Sequence, residues 1–125
     1  MEKLGKDSFF ISRFKSIKFA AKGGWILITT EHAIIAQVII GLILTAFGFW
    51  IGLTPTEWMF QTLAIGLVIV AEAANTSIEY LCDFIHPNYN KKIGFIKDIA
   101  AGISFLAAIF SIIIGLIIYI PKFML

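Results

Sequence analysis

Three long stretches without charged side chains constrain the fold of this chain more than any other feature. Asp, Glu, Lys and Arg are absent from residues 33–56, 58–71 and 99–121. An α-helix needs about 20 apolar residues to cross the hydrocarbon core of a bilayer. The first and third stretches are long enough, whereas the second reaches that length only if its helix continues through Glu72 and Glu79. With 59% hydrophobic side chains, the chain is too apolar for an ordinary soluble domain.

The pattern predicts an all-α membrane protein that forms a single domain over residues 1–125. The predicted elements are an amphipathic surface helix at 9–30 and transmembrane helices at 32–53, 58–85 and 96–120. In the surface helix, one face is apolar and another is basic: Phe10, Phe14, Ile17 and Ala21 against Lys15, Lys18 and Lys22. Such a helix lies along a membrane and binds anionic lipid, and one of its cations could also contact a phosphate.

The distribution of Lys and Arg predicts the orientation of the spans. Six basic residues precede the first span, three lie between the second and the third, none lies at 51–57, and only Lys122 follows the third. Cytoplasmic segments carry the excess of positive charge. We therefore expect a protein of the cell's inner (cytoplasmic) membrane, with its N-terminus and its 84–98 loop in the cytoplasm and its C-terminus outside.

A polar stripe occupies one face of the second predicted span. Its members are Glu72, Asn75, Thr76, Glu79 and Asp83, at spacings of three, one, three and four residues. Glu72 lies about 16 Å from Asp83 along the axis, because an α-helix rises about 1.5 Å per residue. Acids inside a membrane are costly, so this stripe indicates a functional site. The alternative is that Glu72 and Glu79 are protonated or paired structural acids.

A second acid at the same depth suggests a metal site. Glu31 begins the first span and could meet Glu79 across antiparallel helices, or it is simply an acid placed favourably at a helix N-terminus. Two adjacent carboxylates repel each other unless one is protonated or a cation lies between them. Mg²⁺ suits this place because it binds one or two carboxylates together with phosphate oxygens and water. Lys97, beside Asp98, could then bind a phosphate.

These groups are the ones that phosphoryl transfer needs, and all are predicted on the cytoplasmic side. The soluble phosphate-binding loop and the protein-kinase signatures are absent from the sequence, and no feature indicates binding to nucleic acid. A rival from another class is a small proton- or cation-coupled transporter that uses the same acids. The outer halves of the spans are almost wholly apolar, which disfavours a transport path. A structural scaffold would leave the acids unexplained.

The polar stripe resembles the signature of the small prokaryotic diacylglycerol kinase family, which includes undecaprenol kinases. The matching residues are Glu72-Ala-Ala-Asn75-Thr-Ser-Ile-Glu79, followed by Asp83, Tyr89 and Lys97-Asp98. Lys22-Gly23 and Glu31 also stand where that family has a Lys-Gly pair and a glutamate. The resemblance implies an ATP-dependent lipid kinase that forms a homotrimeric bundle, with active sites shared between neighbouring subunits.

The resemblance also implies a role for each matching residue. Glu72 would be the general base, beside Ala71 at the lipid substrate, and Glu31 and Glu79 would hold Mg²⁺ through the ATP phosphates. The nucleotide site would also include Asn75, Lys97, Asp98, Lys22 and Tyr89.

The expected reaction converts diacylglycerol to phosphatidic acid, with undecaprenol as the alternative acceptor within the same family. Both lipids present a hydroxyl near the interface and an apolar tail. The chain departs from the family pattern after Glu31. Many relatives carry Asn or Arg two and four residues later, and often an acid or His at the sixth, where this chain has Ala33, Ile35 and Gln37. The resemblance therefore does not predict the contacts to the nucleotide base.

Overall fold

The computed structural model describes residues 6–124, and that range contains four helices and no strand. Their bounds are Lys6–Thr30 (α1), His32–Ile51 (α2), Pro55–Ile85 (α3) and Lys91–Met124 (α4). Helices α2, α3 and α4 are each long and apolar enough to cross a membrane. The predicted class, an all-α membrane protein with three spans after an N-terminal helix, is confirmed.

A single residue separates α1 from the first span. Helix α1 is continuous through Gly23 and Gly24, where the sequence permits a bend, and helical geometry is interrupted only at Glu31, with φ −90° and ψ 113°. The Glu31 N–H donates to the Leu27 carbonyl at 3.2 Å, and the Glu31 carbonyl accepts from the Ile35 N–H at 2.9 Å. The backbone of Glu31 is therefore fixed between two helices.

The turn between α2 and α3 is built from residues that end one helix and begin the next. Gly52 adopts a left-handed conformation, with φ 83°, and donates its N–H to the Gly48 carbonyl at 2.9 Å. Thr54 caps α3: its hydroxyl accepts from the Glu57 N–H at 3.2 Å, while the Glu57 carboxylate accepts from the Thr54 N–H at 2.9 Å. This reciprocal capping box places the start of α3 at Pro55.

Two glycines let α2 approach α3 closely. A Cβ added at Gly41 would lie 2.7 Å from the Ile65 side chain, and one added at Gly48 would lie 2.8 Å from the Trp58 ring. The helices run antiparallel, so residues near the start of α2 lie beside the C-terminal half of α3. This packing brings the Glu31 end of α2 to the polar stripe.

Helices α3 and α4 form the most extensive interface, and polar contacts fix their register at several levels. The Ser111 hydroxyl donates to the Ala64 carbonyl at 3.0 Å. The buried Gln61 amide donates to the Leu44 carbonyl of α2 at 3.0 Å and accepts from the Tyr119 hydroxyl of α4. Gln61 therefore joins all three spans at the level where α2 and α4 end and α3 begins.

Helix α4 does not stop at Pro121, contrary to the sequence-based expectation of a span ending at 120. It continues to Met124 with the proline inside its last turn. The Lys122 ammonium lies 2.9 Å from the Glu57 carboxylate of α3, and both side chains are half-buried. This ion pair holds the last turn of α4 against α3, which offsets the backbone hydrogen bond that proline cannot donate.

Candidate active site

The polar stripe lies on one uninterrupted helix, because α3 runs without a break from Pro55 to Ile85. Thr76 is buried, Glu72 and Asn75 are half-buried, and Glu79 is exposed. Among the side chains at 8–124 and the backbone groups at 6–124, none donates a hydrogen bond to the carboxylate of Glu72 or of Glu79. Both carboxylates are therefore available to a ligand.

Glu31 meets α3 as expected, but its direct partner is Tyr80 rather than Glu79. The Tyr80 hydroxyl donates to Glu31 Oε1. Glu31 makes no side-chain cap bond to its own helix. Consecutive Cα atoms are about 3.8 Å apart, so the backbone of Glu79 lies directly beside that of Tyr80. The contact brings Glu31 against α3 at the residue next to Glu79, and the pairing of Glu31 with Glu79 at a metal stays a prediction.

Lys97 also reaches the polar stripe, where it forms an ion pair with Asp83. The Lys97 ammonium lies 2.6 Å from Asp83 Oδ1, and the two side chains are 38% and 57% exposed. Such a partly exposed pair contributes little to stability. It holds the lysine at the C-terminal end of α3, about one turn from Glu79, where an incoming phosphate could compete for it.

Two buried polar atoms at one level of the α3–α4 interface lack a partner. They are Asn75 Oδ1 and Ser104 Oγ. The ion pair between Asp83 and Lys97 and the hydrogen bond between Ser111 and Ala64 bracket this level and place Asn75 opposite Ser104. Buried polar atoms are normally satisfied, so these two groups mark a place for a water molecule or a ligand group.

The remaining predicted site residues make no side-chain hydrogen bond or ion pair with Glu31, Asp83 or Lys97 in the described part of the chain. Ala71 is buried beside Glu72. Lys22 on α1 and Asp98 on α4 are exposed. Tyr89 is 86% exposed in the loop between α3 and α4, where its ring packs near the backbone of Gly94. The structure therefore joins Glu31 to Tyr80 and Lys97 to Asp83, and among the described residues these outer side chains make no bond to either pair.

The residues present fit a magnesium ion that is shared with phosphates. Within residues 8–124, whose side chains the structure describes, no three His, Cys, Asp or Glu side chains form a group that could hold a metal by themselves. Glu31 and Glu79 supply carboxylate oxygens, and Mg²⁺ characteristically takes one or two carboxylates and fills its octahedron with phosphate oxygens and water. A site of this composition would bind the metal together with a nucleotide.

Sequence reasoning missed two residues of this region. Tyr80 follows Glu79 directly but resembles an ordinary interfacial aromatic residue. Ser104 resembles one of the small residues that let membrane helices pack. Neither residue carries a sequence signal of its own, because their roles depend on which helix lies opposite.

Comparison with known proteins agrees with this arrangement. A family model described as prokaryotic diacylglycerol kinase matches residues 18–119, which include Glu31, the polar stripe and Lys97. An undecaprenol kinase of Bacillus subtilis (strain 168) is 35% identical over 109 residues, covering 87% of this chain and 89% of that protein. With its three spans and its cluster of acids and lysine, the chain belongs to the prokaryotic diacylglycerol kinase family of membrane lipid kinases.

Proposed function

We propose that this lipid kinase phosphorylates undecaprenol, using ATP as the phosphate donor. The observation that carries this choice of lipid is the 35% identity to an undecaprenol kinase over nearly the whole of both chains. Diacylglycerol, the acceptor expected from the sequence, is the second candidate, and the description of the matching family model favours it. Either lipid brings a hydroxyl group to the membrane interface and leaves its tail in the bilayer.

Glu72 is the proposed general base. Its half-buried carboxylate lies deepest in the polar stripe, and no group within residues 6–124 donates a hydrogen bond to it. The lipid hydroxyl oxygen attacks the γ-phosphorus of ATP, the bond to the β–γ bridging oxygen breaks, and ADP leaves. Glu72 takes the hydroxyl proton as the new ester bond forms. Ala71 beside it is a proposed lipid contact.

Glu31 and Glu79 are the proposed magnesium ligands. Tyr80, the residue after Glu79, donates a hydrogen bond to Glu31 and so joins α3 to the start of α2. Bound Mg²⁺ would neutralise charge on the β- and γ-phosphate oxygens. The proposed role of the protein is to hold the Glu31 and Glu79 carboxylates at the same depth in the membrane interface.

The proposed nucleotide site surrounds these acids. Lys97 supplies positive charge for the phosphates and leaves Asp83 when they bind. Asn75 offers an amide at the α3–α4 interface. The outer contributors are Asp98, Lys22 and Tyr89, whose side chains are exposed.

The proposed orientation places this site in the cytoplasm, where ATP is present. The N-terminus and the 84–98 loop would be cytoplasmic, with the spans near 32–53, 58–85 and 96–120 crossing the cell's cytoplasmic membrane. A membrane-impermeant amine label should modify Lys122 from outside intact cells and Lys91 only after the membrane is opened. The reverse pattern would exclude a site that faces ATP.

We also propose that the chain assembles as a homotrimer. The family resemblance implies it, and many large apolar side chains of the three spans are exposed in the isolated chain. A mass measurement of the protein in detergent, with the detergent contribution subtracted, should give three chains per particle. A monomeric particle that retains full activity would contradict the proposal.

The acceptor is tested by presenting both lipids to the purified protein with γ-labelled ATP. Undecaprenol and a diacylglycerol are supplied at equal mole fraction in the same vesicles, and the labelled lipids are separated by chromatography. We expect faster labelling of undecaprenol. Label on diacylglycerol alone would overturn the choice of lipid but not the kinase assignment, and label on neither lipid would overturn both.

A further inference from the structure

Among the side chains at 8–124, Tyr80 makes the one hydrogen bond to the Glu31 carboxylate. Its hydroxyl, on α3, donates to Glu31 Oε1 at the junction of α1 and α2. The two residues are 49 positions apart, so the contact depends on how α2 packs against α3. Tyr80 itself is 57% exposed in the isolated chain.

No other side chain at 8–124 forms a hydrogen bond or an ion pair with the Glu31 carboxylate. Its backbone is fixed by hydrogen bonds to Leu27 and Ile35, but its carboxylate makes no cap bond to α2. A glutamate side chain that is held only by its backbone samples several rotamers, and ordering it costs free energy on binding. The phenol of Tyr80 removes part of that cost, because it already holds one carboxylate oxygen.

From these contacts we infer that Tyr80 is a positioning residue, which orients Glu31 for the divalent cation of the bound nucleotide. The inference rests on the proposed function. By occupying Oε1, the phenol leaves Oε2 free for a metal. Its position beside Glu79 places the oriented carboxylate at the turn of α3 that carries the other proposed ligand.

The test replaces the phenol hydroxyl and leaves the ring. Tyr80→Phe preserves an interfacial aromatic residue but cannot donate to Glu31, whereas Ser77→Ala removes a hydroxyl of α3 that bonds only its own helix, at Ala73. Binding is measured with Mn²⁺ and a non-hydrolysable ATP analogue, by electron paramagnetic resonance of the free Mn²⁺. A hydrogen bond of this kind corresponds to about a 2- to 12-fold change in affinity.

We expect Tyr80→Phe to weaken Mn²⁺ binding within that range and to raise the Mg²⁺ concentration needed for half-maximal activity. The kcat at saturating Mg²⁺ should change less, and Ser77→Ala should bind as wild type does. In a Glu31→Gln background, the Tyr80→Phe change should have no further effect on Mn²⁺ binding.

Wild-type Mn²⁺ affinity in Tyr80→Phe would overturn the positioning role and leave the proposed function standing. An equal further loss in the Glu31→Gln background would also overturn it, because Tyr80 would then act without Glu31. Failure of the wild-type protein to bind Mn²⁺ with the analogue would instead overturn the proposed metal site itself.

Discussion

Replacement of Glu72 by Gln distinguishes a catalytic role of this glutamate from a structural role. The change keeps the size of the side chain and removes its ability to take a proton. General-base catalysis typically raises the rate about 10²–10⁴-fold, which corresponds to a barrier lower by about 3–5 kcal/mol. The next acid of the polar stripe, Glu79, lies about 10 Å away along the helix axis. It is outside hydrogen-bond reach of a hydroxyl at Glu72 and cannot substitute, so kcat should fall at least about 100-fold.

The same change should leave folding and nucleotide binding nearly intact. Among the side chains at 8–124, none donates a hydrogen bond to the Glu72 carboxylate, so the amide breaks no hydrogen bond of the described structure. A charge inside the membrane also becomes a neutral group, which favours the folded state.

The assay is a coupled measurement of ADP release with lipid present, together with a nucleotide titration and a thermal melt in detergent. Glu57→Gln is the matched control, because it makes the same chemical change on the same helix about 22 Å from Glu72. The control should keep its kcat. A Glu72→Gln variant with near wild-type kcat would refute the base assignment, and one that cannot assemble would favour a structural role.

Four further substitutions test the remaining parts of the site and its scaffold. Glu79→Gln and Glu31→Gln should both weaken Mg²⁺-dependent nucleotide binding, measured by titration with and without Mg²⁺, and unchanged binding would exclude the metal role. Lys97→Met should raise the KM for ATP about tenfold or more, because a charge-assisted contact to phosphate is lost. Loss of the partly exposed ion pair between Lys97 and Asp83 should lower the free energy of unfolding by at most about 1 kcal/mol in a detergent melt. Gln61→Leu should cost about 1–3 kcal/mol in the same melt while kcat persists, and equal stability would contradict its role in joining the three spans.

The sequence was sufficient to predict the helices and the polar stripe, because both depend on local regularities. Absence of charge over a span length and helical spacing are properties of one segment, so Glu72, Asn75 and Glu79 could be placed on one face before any contact was known. The start of α3 at Pro55 was not predicted, since the span was placed at 58–85, although Thr54 and Pro55 are strong helix-start residues.

Contacts between helices could not be read in the same way. The pairing of Lys97 with Asp83 depends on the register of α3 against α4, which packing along the whole interface decides. The contact of Tyr80 with Glu31 likewise requires the close approach that Gly41 and Gly48 allow. The expectation that α4 ends before Pro121 was wrong, because an ion pair between the ends of α3 and α4 holds the last turn of α4 in place.

The most direct test of the central claim follows the label from ATP into the lipid. Purified protein in vesicles that contain undecaprenol is given ATP labelled at either the α- or the γ-phosphate, and radioactivity is counted in the extracted lipid. If the acids of α3 form a kinase site, γ-label should enter the lipid, α-label should not, and Glu72→Gln should reduce the transfer at least about 100-fold. Transfer that proceeds equally well in Glu72→Gln, or no transfer of γ-label by the wild-type protein to undecaprenol or to diacylglycerol, would contradict the account.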